Sequence, residues 1–319
     1  MKSSEEVYRR LKGLVAPTVT PFDDHGALAL PIVERLVESL VEGGVAAVIP
    51  GDLVGEFFSL TLDERRALLA ESVRCARGRL LVVGLTADAS LDNAIELARF
   101  ARRTGADLIK LALPYSSPPS ESAILDYFRR IDDAEGAPFL VESSDELPIP
   151  LPVIAALCER PSFVGLEEIG TDLGRLDRLY REFAERLVIL PSGETALLFL
   201  CLLGAPGLIA AEVNFAPAFM GAFLDACRRR DLDRALELFG RRRRYRDLFR
   251  AGLARGLPMF TPYAKAALEL LGMPVGKPRL PQEPLTPEET RALRDILRAE
   301  FSLTAGAVSL GGVGGGGGL

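Results

Sequence analysis

Acidic side chains follow several short apolar segments of this chain. Asp52, Glu142, Glu167 and Glu212 each stand at or just beyond the end of such a segment. Two carboxyl groups that share one pocket cannot both ionise freely, so the pKa of one should rise and the pair can supply an acid and a base. Carboxylate oxygens also suit a hard divalent cation such as Mg²⁺. The pattern predicts proton transfer or metal-assisted chemistry if the fold brings these segments together.

The apolar segments recur at intervals that indicate alternating strands and helices. Eight of them are rich in β-formers, at 13–22, 46–52, 80–87, 108–114, 138–144, 163–168, 187–194 and 207–214. Continuous apolar runs are typical of parallel strands that are covered on both faces. Eight strand–helix units in 319 residues predict an α/β fold of the (β/α)8 TIM-barrel type, whose active sites lie at the carboxyl ends of the strands.

Helix signals separate the strands and then continue alone. Thr61 with Glu64, and Thr286 with Glu289, have the spacing of a capping box. Beyond residue 228 the strand pattern stops. We therefore predict a barrel at 1–228, a C-terminal helical extension at 229–302 and a Gly-rich disordered tail at 303–319.

Composition narrows the class of protein. The net charge is −6, which disfavours binding to nucleic acid. The basic run Arg241–Arg244 with Arg246 is interpreted as a solvated helix face paired with acids such as Glu237. No apolar run reaches the ~18–20 residues that span a membrane, and the charged N-terminus lacks a signal-peptide pattern. We expect a soluble cytoplasmic protein whose four cysteines are free thiols.

Several motifs carry a family resemblance. "DLVGEFFSLTLDER" resembles GTTGE-x-x-x-L-x-x-x-E, "LPYSSPPS" resembles TPYYNRPS, and "FVGLEEIG" resembles I-G-I-K-E-A. Together they resemble the dihydrodipicolinate synthase / N-acetylneuraminate lyase family over residues ~13–300. The resemblance implies a (β/α)8 barrel with a three-helix C-terminal extension. It also implies a small-molecule substrate, a lysine Schiff base with a 2-keto acid, and a homodimer or homotetramer.

The catalytic positions of that family carry other residues here. The Schiff-base lysine of strand 6 corresponds to Glu167, and the proton-relay tyrosine of strand 5 corresponds to Glu142. The two threonines that bind the keto-acid carboxylate correspond to Leu53 and Val54, while Tyr115 remains. A carboxylate cannot form an imine, so the family's reaction through strand 6 is excluded. By contrast, Glu56 and Glu168 match ordinary acids of the family and are interpreted as structural.

One lysine leaves an alternative open. Lys110 lies within strand 4 rather than at a strand end, and its side chain can point outward between helices or inward. Only an inward lysine is a candidate for imine formation. We give this route less weight. With carboxylates and no cation at the strand ends, the pocket's charge is inverted relative to the family, and an anionic keto acid should be repelled.

The sequence therefore predicts an atypical lyase or isomerase that uses paired carboxylates. The predicted catalytic residues are Glu142, Glu167 and Tyr115; the predicted substrate-binding residues are Leu53, Val54, Ser192 and Glu212; and the candidate ligands of a divalent cation such as Mg²⁺ are Glu142, Glu167 and Glu212. The alternative is a non-catalytic homologue that binds a small cationic metabolite or a protein partner.

Overall fold

The computed structural model describes residues 2–113, 119–254 and 260–306. Within them, eight parallel strands form a nearly closed barrel. The strands are β1 (Leu14–Thr18), β2 (Ala47–Pro50), β3 (Leu81–Leu85), β4 (Leu108–Leu111), β5 (Phe139–Ser143), β6 (Phe163–Glu168), β7 (Val188–Pro191) and β8 (Leu208–Ile209). Their hydrogen-bonded order is β7-β6-β5-β4-β3-β2-β1-β8. The predicted α/β barrel is confirmed, with strands shorter than the apolar runs that indicated them.

Helices cover the outside of the barrel and continue past its last strand. They are α1 (Ser4–Arg10), α2 (Leu30–Glu42), α3 (Leu62–Ala76), α4 (Leu91–Thr104), α5 (Glu121–Glu135), α6 (Leu151–Cys158), α7 (Leu173–Phe183), α8 (Thr195–Leu203), α9 (Pro217–Arg228), α10 (Leu232–Arg241), α11 (Arg243–Ala254), α12 (Thr261–Leu270) and α13 (Pro287–Ala299). Capping boxes begin α3 at Thr61 and α13 at Thr286, as the sequence predicts. In the described part of the chain, no helix is long and apolar enough to cross a membrane.

Strand alternation divides the apolar residues into an inner and an outer layer. In β4, Leu108 belongs to the cluster inside the barrel, whereas Ile109 and Leu111 belong to the larger cluster between strands and helices. Side chains two residues apart on a strand face the same side. Lys110 therefore lies on the inner side with Leu108. The apolar inner layer fills the lower barrel and leaves polar residues at the carboxyl ends.

The last strand is the main departure from the predicted boundaries. The run at 207–214 contains only two strand residues, after which Ala211–Asn214 forms a short 3₁₀ turn. The side chain of Asn214 fixes this turn to β1, because its Nδ2 donates to the carbonyl oxygen of Pro17 at 2.9 Å and its Oδ1 accepts from the amide of Val19 at 3.1 Å. The turn thereby packs against the end of β1.

The C-terminal extension is joined to the barrel through buried ions. Glu56, which has a positive φ of 61° in the loop after β2, is fully buried. Its Oε1 lies 2.8 Å from Nζ of Lys265 on α12, and its Oε2 accepts from the amide of Arg279 at 2.7 Å. Burial, the larger effect, lowers the pKa of Lys265 to about 8, while the charge of Glu56 raises it. Glu56 thus braces the loop, as interpreted from the sequence.

Candidate active site

A buried lysine lies among three carboxylates at the carboxyl ends of the strands. Nζ of Lys110 is 2.6 Å from Oε2 of Glu142 and 2.6 Å from Oε2 of Glu167. It also contacts both carboxylate oxygens of Asp52, at 2.9 and 3.1 Å. The Lys110 side chain is 1% exposed. The structure therefore settles the direction that the sequence left open: Lys110 points into the barrel.

Strand register explains why these groups meet. In the pairing of β4 with β5, Lys110 stands opposite Leu140, and Glu142 follows two residues later on the same side. Glu142 then stands opposite Glu167 in the pairing of β5 with β6. Asp52 comes just after β2 and is buried. Three strand ends thus direct acids toward one ammonium group, which reaches them from lower in the barrel.

The four charges change one another's protonation. Burial alone would lower the pKa of Lys110, but the nearby charges of Asp52, Glu142 and Glu167 outweigh it and hold that pKa well above its usual value. Burial raises the pKa of Glu167 to about 7; the Lys110 ammonium lowers it, and the charges of Glu142 and Asp52 raise it further. The predicted rise in one carboxyl pKa is therefore seen at Glu167, which can hold or release a proton near neutral pH.

A small pocket opens above this cluster. It encloses about 130 Å³ and is lined by Leu53, Val54 and Ser192 as well as by the charged groups. Ligand pockets are more often roughly 300–1,000 Å³, so this volume suits only a small molecule. The predicted substrate-binding residues Leu53, Val54 and Ser192 thus share a pocket with Glu142 and Glu167. Tyr115, the third predicted catalytic residue, lies outside the described residues.

Arginines of the C-terminal extension form another wall of the pocket. Arg242, between α10 and α11, donates from Nε to Oε1 of Glu212 at 2.9 Å and also contacts that oxygen through Nη2. Arg246 of α11 forms a two-nitrogen contact with Glu194, which also lies 2.6 Å from Nη2 of Arg250. Arg242 and Arg246 both line the pocket.

These contacts correct two expectations from the sequence. The basic run is not uniformly a solvated face, since Arg242 is buried and Arg246 is largely covered, and both pair with barrel acids instead of with helix neighbours such as Glu237. The pocket's charge is also not simply inverted, because Lys110, Arg242 and Arg246 all line it. Acids still outnumber cations in the lining, so the repulsion of an anionic keto acid stays a prediction.

The donor set does not fit the predicted divalent cation. Within the described ranges, no group of three or more His, Cys, Asp or Glu side chains is arranged to hold a metal ion. The physical reason is visible at the proposed ligands. Glu142 and Glu167 direct their Oε2 atoms at the Lys110 ammonium, which occupies the place of the cation, while Glu212 is bound to Arg242.

Comparison with known proteins agrees with the barrel and its extension. Residues 10–300 match the model of the dihydrodipicolinate synthetase family. This chain belongs to that family. A 4-hydroxy-tetrahydrodipicolinate synthase of Methanothrix thermoacetophila is 30% identical over 301 residues, covering 92% of this chain and 98% of the relative. A synthase of the same name from Phenylobacterium zucineum is 31% identical, covering 90% and 96%. The crystal structure of dihydrodipicolinate synthase from Bacillus clausii aligns with a TM-score of 0.83 at 25% identity, covering 91% and 98%.

In this member of the dihydrodipicolinate synthetase family, Glu168 has a different environment from the adjacent Glu167. Its Oε1 accepts from the amide of Gly170 at 2.9 Å, and its Oε2 lies 3.1 Å from Nη2 of Arg175. Arg175 also donates to Oγ of Ser143 at 2.9 Å. These contacts hold the loop after β6 against α7 and the end of β5. They agree with the structural role interpreted for Glu168 and separate it from Glu167.

Sequence reasoning missed Arg242 and Arg246 as parts of this family member's pocket, named Asp52 as a strand-end acid without giving it a role, and left Lys110 undecided. A signal for Lys110 was present. A lysine inside an otherwise apolar strand must be buried, and a buried ammonium needs a counter-charge. The carboxylates available to it stand at the ends of neighbouring strands. No comparable signal marked Arg242 and Arg246, because their partners are distant in sequence and the run around them resembles an exposed helix.

Proposed function

We propose that this protein is a lyase or isomerase that acts on a small molecule by proton transfer between the substrate and the carboxyl groups of Glu142 and Glu167. The observation that supports this most directly is the position of Lys110 Nζ, 2.6 Å from an oxygen of each acid. Two buried carboxyl groups held this close to each other cannot both ionise freely, so Glu167 can be protonated while Glu142 remains an acceptor, and the Lys110 ammonium offsets only part of this effect.

The two acids have different surroundings and so suit different roles. Glu167 is buried and has a pKa of about 7, which matches a group that gives and takes a proton near neutral pH. The Glu142 side chain is 13% exposed and lines the pocket, so a bound substrate can reach it. In this scheme Glu142 accepts a proton from a substrate carbon or hydroxyl, and Glu167 donates one to the departing or rearranging oxygen. Lys110 balances the charge that moves between them.

Imine formation at Lys110 is the competing route within the same pocket. An amine attacks a carbonyl only in its uncharged form. Three carboxylates hold Lys110 protonated, and its side chain is 1% exposed. Loss of its proton would also leave three buried acids without their cation. These contacts favour acid–base chemistry over a Schiff base, even though Lys110 points into the barrel.

A non-catalytic role in binding a small cation was the alternative from the sequence. The acidic cluster would supply the charge for it, but the Lys110 ammonium already contacts all three acids. An incoming cation would have to displace a covalently attached one. This observation makes the binding role the weaker proposal.

The test uses carbon-bound protons as the readout. The protein is incubated in D₂O with small 2-hydroxy and 2-keto acids, and loss of proton signals or appearance of new ones is followed by NMR. We expect turnover or exchange with at least one compound. Glu167→Gln and Glu142→Gln should each reduce it by roughly 10²–10⁴-fold, the usual contribution of a general acid or base.

A matched acid-to-amide change away from the pocket serves as the control. Glu182→Gln alters an exposed acid on α7 that pairs only with Arg178 among the described ion pairs. It should leave the rate unchanged. Activity that survives both Glu142→Gln and Glu167→Gln would refute the proposed roles.

We also propose that the protein forms a homodimer or homotetramer, as the resemblance of its sequence to the family implies, and that it lies in the cytoplasm. Size-exclusion chromatography with light scattering tests the assembly, and a mass near 34.5 kDa, that of one chain, would contradict it.

A further inference from the structure

One guanidinium nitrogen of Arg242 has no acceptor among the described residues. Arg242 is 4% exposed and uses Nε and Nη2 on a single oxygen of Glu212. Its Nη1 is buried and has no hydrogen-bond partner in the part of the chain that the structure describes. A buried donor without an acceptor destabilises a protein, and the effect is larger when the group is charged. Because the Arg242 side chain also lines the pocket, this nitrogen is a candidate to bind an acceptor on a ligand there.

The charges of the pocket are unevenly distributed. Lys110 lies among Asp52, Glu142 and Glu167, so this end carries more acids than cations. The wall from the C-terminal extension has one arginine for each acid, Arg242 with Glu212 and Arg246 with Glu194. Arg250 also contacts Glu194 and adds a further positive charge there. An anionic group in the pocket is therefore favoured at the arginine wall and disfavoured at the acidic end.

We propose that Arg242 binds the carboxylate of the substrate, which is a small carboxylic acid held with its reacting carbon toward Glu142 and Glu167. A carboxylate oxygen supplies the acceptor that Nη1 lacks, and guanidinium–carboxylate contacts are among the stronger hydrogen bonds in proteins. The position of the reacting carbon beside Glu142 and Glu167 rests on the proposed function. The binding of a carboxylate at Arg242 is independent of the proposed function.

The size of the pocket limits the acid. A volume of about 130 Å³ is below the roughly 300–1,000 Å³ of common ligand pockets. This favours an acid of only a few carbons. A hydroxyl or amino substituent beyond the carboxylate would face the acidic end, where Glu142 and Glu167 can accept its protons.

The experiment compares acids with their uncharged amides. Acetate, lactate, pyruvate and β-alanine are the probes, and acetamide and lactamide are the uncharged controls. Binding is measured by ligand-observed NMR and by the shift in the thermal unfolding midpoint. Pyruvate and β-alanine are likewise compared with their amides. We expect at least one acid to bind the wild-type protein, and its amide to bind at least about tenfold more weakly, because a charged hydrogen bond is replaced by a neutral one.

Three variants separate binding from folding. The double variant Arg242→Gln with Glu212→Gln removes the buried ion pair as a unit, which leaves the net charge unchanged and avoids an unpaired buried acid. It should weaken binding of the acid at least about tenfold. Glu212→Gln alone keeps the guanidinium and should bind the acid as well as or better than wild type. Arg243→Gln, at an exposed arginine one position along, should have no effect.

The outcomes are distinct. The proposal is overturned if no acid binds the wild-type protein, if acids and amides bind equally, or if the double variant binds as wild type does. Should the double variant fail to fold, Arg242→Lys keeps a cation beside Glu212 without the extra nitrogen, and unchanged binding in that variant would overturn the proposal instead. Acid binding that persists in Glu167→Gln without any turnover would support Arg242 and refute only the proposed function.

Discussion

Glu167 should make the stability of the protein depend on pH, and Glu167→Gln should remove that dependence. The pKa of this carboxyl is about 7 in the folded protein, against an ordinary value of 4.5. Between these two pH values the folded protein holds a proton that the unfolded chain has released. Raising the pH through this range therefore lowers the free energy of unfolding.

The size of the effect follows from the two pKa values. Each whole unit of pKa difference is worth about 1.4 kcal/mol. A pKa of about 7 against 4.5 thus corresponds to about 3 kcal/mol, fully developed above the folded-state pKa and absent below 4.5. Glutamine keeps the shape and an acceptor for Lys110 but has no proton to exchange. Relative to wild type, Glu167→Gln should gain about 3 kcal/mol as the pH rises from 4.5 to 8.

The assay is urea unfolding of both proteins at a series of pH values, followed by circular dichroism. Ionisable groups away from the cluster contribute equally to both proteins and cancel in the difference between variant and wild type. Glu64, whose pKa is lowered to about 2 chiefly by its hydrogen bonds with Arg279, loses its contribution only below pH 4.5 and so lies outside this range. If the two stability curves run parallel from pH 4.5 to 8, Glu167 does not have the raised pKa on which its proposed role depends. Glu182→Gln should give a parallel curve and serves as the control.

The remaining predictions concern the buried Lys110, the packing of β8 on β1 and the N-terminal cap of α13. Lys110→Met should lower the free energy of unfolding at pH 7.5 by about 3–5 kcal/mol, because three buried acids lose their cation. The loss should be smaller at pH 5, where Glu167 is protonated. Chemical unfolding at the two pH values measures both losses, and equal losses would contradict this prediction. Since the pKa of Lys110 is raised, the stabilisation that its ammonium gives to the ionised acids should persist up to pH 10.5 and decline only above that. Pyruvate with borohydride should leave the intact mass unchanged, and a stable adduct that disappears in Lys110→Met would restore the imine route. Gly207→Ala should lower the unfolding midpoint, because its Cβ would collide with the backbone of Gly13; an unchanged midpoint would refute the close packing of β8 on β1. Thr286→Ala should destabilise the protein by about 1 kcal/mol through loss of the α13 cap, and Thr290→Ala on the same helix should have a smaller effect.

The barrel could be predicted from sequence because its signals are local. Eight apolar runs, separated by helix patterns with capping residues such as Thr61, require only the periodicity of neighbouring residues. The end of β8 was less predictable. The segment 207–214 is apolar enough for a strand, but the side chain of Asn214 bonds to β1 and turns the backbone after Ile209. That contact joins residues almost 200 positions apart and leaves no local trace.

The site was predictable only in part, for a similar reason. Placement of Glu142 and Glu167 at adjacent strand ends follows from parallel register once the strands are known. Which of the two acids is protonated does not follow from the register, because it depends on the cation that lies between them. Local sequence also could not show that Arg242 leaves the exposed face of its helical segment to meet Glu212. Long-range ion pairs are specified by tertiary packing, and one sequence gives no measure of them.

The inward lysine has a consequence for how homologous barrels are compared. The family resemblance places an amine on strand 6, whereas here strand 6 carries an acid and the amine reaches the same chamber from β4, with β5 between them. The inward-facing side chains of a barrel all point into one interior. A functional group can therefore be carried by a different strand and still reach the same chamber, which is the pocket at the strand ends. A column-by-column alignment would score this chain as having lost its amine. A comparison of the chemical groups that fill the chamber would score the amine as transferred to another strand.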